Sequence, residues 1–529
     1  MPIQSYTDDD TPLIHSIVPL HPDYLRFRDS WTRCRDAVAG EDRIKNKGST
    51  YLPPLPSHTK DQNRYRAYLN RATFYNATSR TLEGLVGAVF RKAPIINNLT
   101  ATLSKSLHID NITQDGESIS DLALQVTTEV VHVGRVGLLL DRPYAPQQPD
   151  VDQFSHPNFP DNPSHAPMQH VVPSISPEED YPYVAMYKAE NILNWRTIKR
   201  GRQRILQQVV LREVVPDPMT IGYQDKEQIR VLEIDNDGEY CQYLLTDSGQ
   251  PNRDSLVYPT NQGRRLNYIP FLFVNPKSLN PEVEKPPLSD IVNMNFSHYR
   301  SYAALEHGRA YTAFPQFYVS FNDNDNPYSR PNFENPNAAM TEGPDSANAD
   351  GAYRVDSDAV WEIDGGRPGI LEYQGSGLNS LESALDKKEG QIQALGARLI
   401  TPLKGLPAQS AVVYELQALG DAAILLQITT QVAKAMNQIM RWMADWEQVV
   451  VPAPFPEFTF IASFTDAKIT ARELRAILAL YKEHALPKDA LYHTLREAGV
   501  LPPSMSLDDF KTLLDNPDQL WQLDDRISV

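Results

Sequence analysis

The spacing of apolar residues predicts a helical beginning for this chain. Spacing near 3.6 residues marks helices at 22–38, 61–90 and 119–132. A short apolar run at 135–141 (RVGLLLD) then ends at a proline, and it predicts a buried strand. The first 20 residues carry no such pattern and are expected to form a flexible arm.

The middle of the chain has the composition and turn signals of β structure. Asn236-Asp237-Gly238 is typical of a tight hairpin turn. Upstream, the stretch 142–182 holds ten prolines among polar residues, which predicts a long surface excursion. Candidate strands lie at 183–187, 205–214, 228–234, 239–245 and 268–274.

Two helical patterns in the second half bracket about sixty residues of turn-rich sequence. They cover 287–313 and 378–400, and strand-like pieces lie between them at 316–321 and 359–363. In the second helix, the apolar residues form a narrow stripe along one face, which is typical of coiled-coil or ring packing. Its apolar positions are Leu378, Leu381, Leu385, Ile392, Leu395 and Leu399.

Three residues disturb this stripe. Lys388 interrupts it, and Gly390 and Gly396 each weaken an isolated helix by about 1 kcal/mol. We therefore expect tight packing against a neighbour to justify the two glycines.

A glycine- and proline-rich loop at 401–409 (TPLKGLPAQ) precedes the longest helical pattern, 410–449. Pro402, Gly405 and Pro407 prevent the helix from continuing through the loop. The methionine-rich end of the long helix allows two interpretations, a buried core or a subunit contact. A proline-rich strand at 450–464 and short helices at 470–481, 488–498 and near 507–514 complete the pattern.

Charge narrows the possible partners. The 529 residues include 50 basic and 67 acidic side chains, a net charge of −17. Because DNA affinity comes from Lys and Arg displacing phosphate counterions, we expect no broad DNA-gripping face. Acidity is compatible with surrounding DNA without holding it, but its more common role is simply to keep a large protein in solution.

No sequence motif points to an enzyme. The chain lacks a P-loop, a G-x-S-x-G elbow and an H-E-x-x-H zinc motif. Cys34 and Cys241 lie far apart, so neither a disulfide framework nor a cysteine zinc site is expected. We predict no catalytic residues, no metal and no cofactor, and neither a signal peptide nor a membrane span.

Two basic features remain as candidate contacts. The run 196–204 (RTIKRGRQR) predicts a hairpin tip that is either a solvated turn or a contact to DNA or an acidic neighbour. Lys404 is the single cation of the 401–409 loop and either touches phosphates transiently or faces solvent. The candidates in the tip are Lys199, Arg200, Arg202 and Arg204.

Five strings, in this order, resemble the portal proteins of tailed bacteriophages. They are YRAYLNRATFYNATSRTLEGLVGAVFRKAP (65–94), GRVGLLLDRP (134–143), YKAENILNWR (187–196), PPLSDIVNMNFSHYRSYAALEHG (286–308) and LYKEHALPKDALYHTLREAGVLP (480–502). None of these strings is diagnostic alone, and the specificity lies in the ordered set.

The resemblance implies an α+β portal fold with the following parts. Residues 1–20 would be the arm, 21–286 the first part of a wing, 287–314 the first stem helix and 315–377 an inserted clip. The second stem helix would be 378–400 and the tunnel loop 401–409. The long helix and strand at 410–464 would complete the wing, and 465–529 would form the crown.

The resemblance also implies a function and partners. A portal is a ring, usually of twelve subunits, at one capsid vertex, through which double-stranded DNA enters and leaves. Implied partners are the terminase large subunit, a head–tail adaptor, the major capsid protein and a scaffold protein, in the virion and, during assembly, in the host cytoplasm. Lys404, with Pro402, Gly405 and Pro407, would lie nearest the DNA, and Lys387, Lys388 and Arg398 would line the channel.

Two alternatives belong to other classes. The first alternative is another structural or connector protein of a virion. The second is a hydrolase without a recognisable motif. An adaptor is usually much shorter, and a capsid protein has no need of two helices that bracket an insertion before a long helix.

Overall fold

The computed structural model describes the chain in segments. These are 18–56, 62–143, 181–216, 225–261, 263–312, 316–321, 366–371, 376–396, 408–460, 471–483 and 486–497, with residues 501, 507, 510, 511 and 514. For 316–321, 366–371 and 408–423 it describes the backbone. The chain divides into two compact units, Met1–Thr459 and Phe460–Val529.

Helices dominate the beginning and the second half of the described chain. The helices are α1 (Pro22–Ala39), α2 (Glu41–Asn46), α3 (Gln62–Arg71), α4 (Ala77–Val89), α5 (Ala101–Ser106), α6 (Ile119–Val133), α7 (Ser289–Thr312), α8 (Ser376–Leu395), α9 (Ala408–Trp446), α10 (Ala471–Lys482) and α11 (Lys488–Glu497). The helices predicted at 22–38 and 119–132 are confirmed as α1 and α6, which each end one residue later.

Strands fill the middle of the described chain. They are β1 (Ile95–Asn97), β2 (Val136–Asp141), β3 (Tyr183–Lys188), β4 (Ile192–Arg200), β5 (Gln203–Pro216), β6 (Asp225–Ile234), β7 (Tyr240–Leu244), β8 (Thr260–Asn261), β9 (Arg264–Arg265), β10 (Phe271–Val274), β11 (Gln316–Phe321), β12 (Gly366–Leu371) and β13 (Glu457–Thr459).

Two antiparallel sheets of three and four strands form the larger β part of the first unit, beside the two-stranded pairs β1–β13, β8–β9 and β11–β12. One has the strand order β10-β2-β3, and its central strand β2 is buried at every residue, as the apolar run 135–141 predicted. The other is the meander β4-β5-β6-β7. The turn between β6 and β7 contains Gly238 at a φ of +83°, a conformation that favours glycine, so the hairpin predicted there is confirmed.

The helix predicted at 61–90 is wrong, because the chain breaks at 72–76 into α3 and α4. Asn76 caps α4, its side chain accepting a hydrogen bond from the Ser79 N–H at 3.0 Å. Asn295 of α7 donates to the Tyr75 carbonyl at 2.8 Å and accepts from the Thr78 N–H at 3.2 Å. The break is stable because these polar side chains satisfy backbone groups that it leaves unpaired.

Two further differences from the predicted elements have local causes. Strand β4 was not among the candidate strands, since its outer half is charged and exposed while only its inner half is buried. The strand predicted at 450–464 reduces to β13, which pairs with β1, and 461–464 lie outside the described residues. Prolines at 452, 454 and 456 remove the N–H groups that a longer ladder would need.

A buried ionic cluster joins the first helix to the rest of the unit. The Arg35 guanidinium on α1 donates to Glu129 of α6 at 2.6 and 2.9 Å and to Glu190, between β3 and β4, at 2.9 and 3.1 Å. His132 lies beside it, and burial lowers the pKa of this histidine to about 4, so its ring is neutral at pH 7. One cation thus holds two buried carboxylates from separate elements.

The second unit is a small helical cluster. Helices α10 and α11 match the predictions at 470–481 and 488–498, and Leu507, Phe510, Lys511 and Leu514 are helical as well. Its core consists of Leu491, Tyr492, Leu495 and Phe510, with partly buried apolar residues of α10 packed against them.

Replacing the shared cation of the ionic cluster is expected to be costly. Arg35→Met leaves Glu129 and Glu190 buried without their partner, so we expect a loss of about 3–5 kcal/mol in the free energy of unfolding. Denaturant titration measures it. Arg26→Met, on an exposed position of the same helix, is the control and should stay within about 0.5 kcal/mol. A loss below about 1 kcal/mol for Arg35→Met would show that the carboxylates reach water in the folded protein.

Candidate functional site

The helices α7 and α8 pack side by side and antiparallel. Gly308 near the end of α7 lies against Leu378 near the start of α8, and Ile291 near the start of α7 lies against Gly396, just after α8. The two patterns predicted at 287–313 and 378–400 are therefore one helix pair, whose second member ends at Leu395. Residues 397–400 lie outside the described residues.

Lys388 belongs to the seam between the two helices. Leu385 and Ile392 on α8 are buried, and Lys388 lies between them at helical spacing, on the same face. Its ammonium group donates to the Ser301 hydroxyl at 2.5 Å and to the Ser297 carbonyl at 3.1 Å, both on α7. Burial, with a smaller effect from Arg300, lowers the pKa of Lys388. The interruption of the apolar stripe is thus matched by polar groups on the facing helix.

An ion pair and a hydrogen bond fix the same register on either side of Lys388. Arg309 of α7 donates to Glu382 of α8 at 2.7 Å and to Glu306 on its own helix at 2.9 Å. Nε2 of His298 lies 3.3 Å from Glu389, and burial lowers the pKa of His298, which keeps the ring neutral at pH 7. A shift of one helix by a turn would break all these contacts together.

The two glycines of the α8 pattern have different environments. A Cβ on Gly396 would lie 2.6 Å from Cδ1 of Ile291 and 2.7 Å from Cγ2 of Thr81, so Gly396 permits close packing on α7 and α4. Nothing described lies within 4 Å of a Cβ on Gly390. The expectation of a close neighbour is met at Gly396 within the chain itself, and it is not met at Gly390 by any described atom.

A two-stranded ribbon occupies the insertion between the paired helices. Strand β11 was predicted, and it pairs antiparallel with β12 along six residues, from Gln316 opposite Leu371 to Phe321 opposite Gly366. Strand β12 was missed because Gly366, Pro368 and Gly369 are unfavourable in a strand interior. The strand predicted at 359–363 lies outside the described residues.

The second half of α9 is a core helix. Met436, Met440 and Met443 are fully buried, and this part of the helix packs against α6. Asn437 of α9 also exchanges two hydrogen bonds with the backbone of Phe458 in β13, at 2.7 and 3.0 Å. Of the two interpretations of the methionines, the buried core is therefore correct, and these side chains are not available to another subunit.

Most of the loop predicted at 401–409 lies outside the described part of the chain, and its last two residues, 408 and 409, are helical and begin α9. The residues outside the described part include Pro402, Lys404, Gly405 and Pro407, and also Arg398. Their roles stay predictions. Of the two lysines predicted to line a channel, Lys387 is exposed, whereas Lys388 is engaged with α7.

The basic run 196–204 forms the hairpin tip that the sequence predicted. Strands β4 and β5 pair up to Arg200 opposite Gln203, and Gly201 in the turn has a φ of +62°. The tip's cations are exposed, and Arg204 alone among them has a described ion pair, with Glu282. They are Arg196, Lys199, Arg200, Arg202 and Arg204.

The base of this hairpin is rigid for a reason that sequence reasoning missed. Arg135 is fully buried, with its guanidinium over the rings of Trp195 at 4.3 Å and Phe273 at 4.2 Å. His21 stacks on Trp195 with ring centroids 3.8 Å apart. Arg135 also donates to the Pro281 carbonyl at 2.8 Å. The arginine before an apolar strand gave no signal of this role, because its aromatic partners come from distant segments.

The described residues hold no cluster of three or more His, Cys, Asp or Glu arranged to bind a metal. Cys34 and Cys241 are both buried with free thiols, and burial raises the pKa of Cys34 to about 12. No described helix is both long and apolar enough to cross a membrane.

Comparison with known proteins gives one family match and weak structural similarities. A family model described as a domain of unknown function (DUF4055) matches residues 287–447. The matched stretch begins just before α7 and ends just after α9. It therefore contains the helix pair, the inserted ribbon, the loop and the long helix. No curated protein matches the chain.

Two solved structures illustrate the structural similarity. One is described as the neck of an empty GTA particle computed with C6 symmetry, with 10% identity, a TM-score of 0.34 and coverage of 83% of this chain and 90% of that one. The other is the virion of a native gene transfer agent (GTA) particle, with 12% identity, a TM-score of 0.33 and the same coverage. Similarity at this level does not establish a shared fold.

The two glycines of the α8 pattern give a paired prediction. Gly396→Ala should lower the free energy of unfolding by about 1–3 kcal/mol, because Thr81 is a stiff β-branched neighbour and Ile291 is buried. Gly390→Ala should raise it by up to about 1 kcal/mol, because alanine favours the helix and meets open space. Denaturant midpoints of the two variants measure the difference. Equal effects would contradict the close approach at Gly396.

Proposed function

We propose that this chain is a portal protein of a tailed-bacteriophage particle, a non-enzymatic subunit of a ring that conducts double-stranded DNA. The proposal is carried by one arrangement, the nesting of the ribbon β11–β12 between the antiparallel helices α7 and α8, with the long α9 following directly. Five ordered strings that resemble portal proteins run from 65 to 502 and support it.

In this proposal each part of the chain has a mechanical task. Helices α7 and α8 are the stem, the ribbon belongs to a clip that docks the terminase motor, and the residues before α9, 401–407, belong to the tunnel loop. The unit Phe460–Val529 corresponds to the crown. The head–tail adaptor and the capsid protein would contact other faces, at the portal vertex of the virion.

The chemistry of the stem suits a part that transmits force rather than one that reacts. Lys388, Arg309 and His298 are each paired with groups on the neighbouring helix, so they hold a fixed register. Polar contacts inside a helix seam specify alignment more than they add stability. A stem of this kind resists sliding when DNA is pushed through the ring.

The charge of the chain suits passage of DNA. A net charge of −17 discourages tight binding of phosphates, and the single cation of the tunnel loop would give a weak, salt-screened contact. Transient contact is what a conduit needs, because tight binding would stop the translocating duplex.

The mass and shape of the purified chain test the ring. Native mass spectrometry should show a species of about 716 kDa, twelve copies of the 59.7 kDa chain, and negative-stain images should show a central hole. A chain that stays monomeric at high concentration and with capsid protein present would overturn the proposal. Closed particles without a hole would favour another virion structural protein.

The tunnel loop has a separate test. Lys404→Ala should reduce DNA retention in packaged heads and weaken its dependence on salt, because the loop's single cation is lost. Retention is measured as the DNA remaining in heads across salt concentrations. Lys434→Ala, an exposed position on α9, is the control. Unchanged packaging and retention would remove the role of Lys404 and leave the ring proposal standing.

A further inference from the structure

The basic hairpin tip (residues 196–204) stands out against the charge of the whole chain. Five cations lie within nine residues of a chain whose net charge is −17. Four of them, Arg196, Lys199, Arg200 and Arg202, are exposed and have no described ion pair. Such a concentration of unpaired positive charge attracts an acidic surface.

The tip projects beyond the sheet that carries it. Strand β6 pairs with β5 only from Gln208 onward, so β5 from 203 to 207 and its partner in β4 extend past the edge of the sheet. The Arg135–Trp195 stack holds the base of this extension. The tip is therefore pre-organised at its base, while within it the Arg200 guanidinium folds back beside Gly238 in the turn between β6 and β7.

An oppositely charged surface exists on the same chain. The acidic loop (residues 110–121) contains Asp110, Asp115, Glu117 and Asp121 and no basic residue. Asp110, Asp115 and Asp121 are exposed, and none of the four acids has a described ion pair. The loop is fixed in place, since Ile112 accepts a hydrogen bond from the Val184 N–H in β3 at 2.8 Å.

These two surfaces are separated by about the length of a strand and do not meet within one chain. The acidic loop borders Val184, next to the pair formed by Tyr183 and Asp141. Asp141 is paired with Arg230, which lies opposite Leu211 of β5. From Leu211 the strand runs eight residues to the tip, about 25 Å at the rise of a β-strand. That exceeds the Debye length of about 10 Å at 0.1 M salt.

We propose that the basic hairpin tip docks on the acidic loop of a second copy of this chain, in a head-to-tail contact. Opposite charges on two separate surfaces of one chain favour a heterologous interface, which repeats around a closed ring when the rotation between subunits closes. This inference rests on the proposed ring and names one of its contacts. The exposed Ile198, 45% accessible within the tip, favours a protein partner over a phosphate backbone.

Charge reversal of the purified full chain tests the contact. The variant Lys199→Glu/Arg200→Glu/Arg202→Glu should raise the protein concentration needed for half-assembly about tenfold or more, since several exposed pairs of modest strength are lost together. Sedimentation velocity between 0.05 and 1 M salt measures it, and wild-type assembly should weaken as salt rises. A matched control, Arg66→Glu/Lys92→Glu/Lys434→Glu, makes the same change in net charge at exposed sites elsewhere and should assemble like wild type.

A charge swap makes the test specific to this pair of surfaces. Asp110→Lys/Asp115→Lys should weaken assembly on its own, and it leaves the Ser118–Asp121 capping box of α6 intact. A chain that carries both reversals should recover assembly, because each reversed tip then meets a reversed loop. A milder variant, Lys199→Gln/Arg200→Gln/Arg202→Gln, removes the charge without reversing it. Its concentration for half-assembly should lie between those of wild type and the reversed tip. It replaces the reversed variant if that variant fails to fold.

Three outcomes overturn the inference. If the variant Lys199→Glu/Arg200→Glu/Arg202→Glu assembles at the same protein concentration as wild type, the docking contact is wrong. The ring proposal then still stands. Loss of binding to a labelled DNA duplex without loss of assembly assigns the tip to nucleic acid instead. If self-association of the wild-type chain does not depend on salt, the proposed contact is wrong. If rings are also absent when capsid protein is present, the proposed function is wrong as well.

Discussion

The burial of α7 on two sides is the constraint on which the second half of this molecule depends. Its buried residues span about half of the helix circumference, which is more than a single packing stripe. One side packs on the helices of the first 90 residues, where Asn295 satisfies the backbone at the break between α3 and α4. The other side receives α8. A helix held in this way anchors whatever projects from its end, here the ribbon β11–β12.

Polar groups within these contacts act on alignment. Lys388 in the α7–α8 seam and Arg35 in the first unit are both partly buried cations matched by specific partners on other elements. Desolvation makes such contacts modest contributors to stability, while their loss is costly because the remaining partners stay buried and unpaired. The molecule therefore tolerates little sliding between its helices, which fits a component that bears load.

Basic and acidic residues are concentrated on separate surfaces and are not spread evenly over the chain. The acidic total is partly offset by the basic tip at the end of β4 and β5, while the acidic loop lies beside β3. Charges this far apart are screened from each other within one chain and remain available to a neighbouring one. The same reasoning underlies the proposed contact between two copies of this chain.

The sequence by itself determined the helices with long regular apolar spacing, the buried strand β2 and the hairpin turns, because these depend on local periodicity and turn chemistry. It also located the basic tip. The break between α3 and α4, strand β12 and the role of Arg135 were decided by tertiary structure, since Asn295, β11 and two distant aromatic rings supply what local sequence lacks.

For the candidate site, too, some features followed from the sequence and others from the tertiary structure. The stripe on α8 was evident from spacing, but whether Lys388 faced a channel or a neighbouring helix depended on Ser297 and Ser301, about ninety positions away. Gly396 and Gly390 are identical in sequence terms, and only the presence of Ile291 and Thr81 beside one of them separates their roles. Periodicity fixes which face of a helix is buried, whereas the identity of the partner on that face is a property of the folded chain.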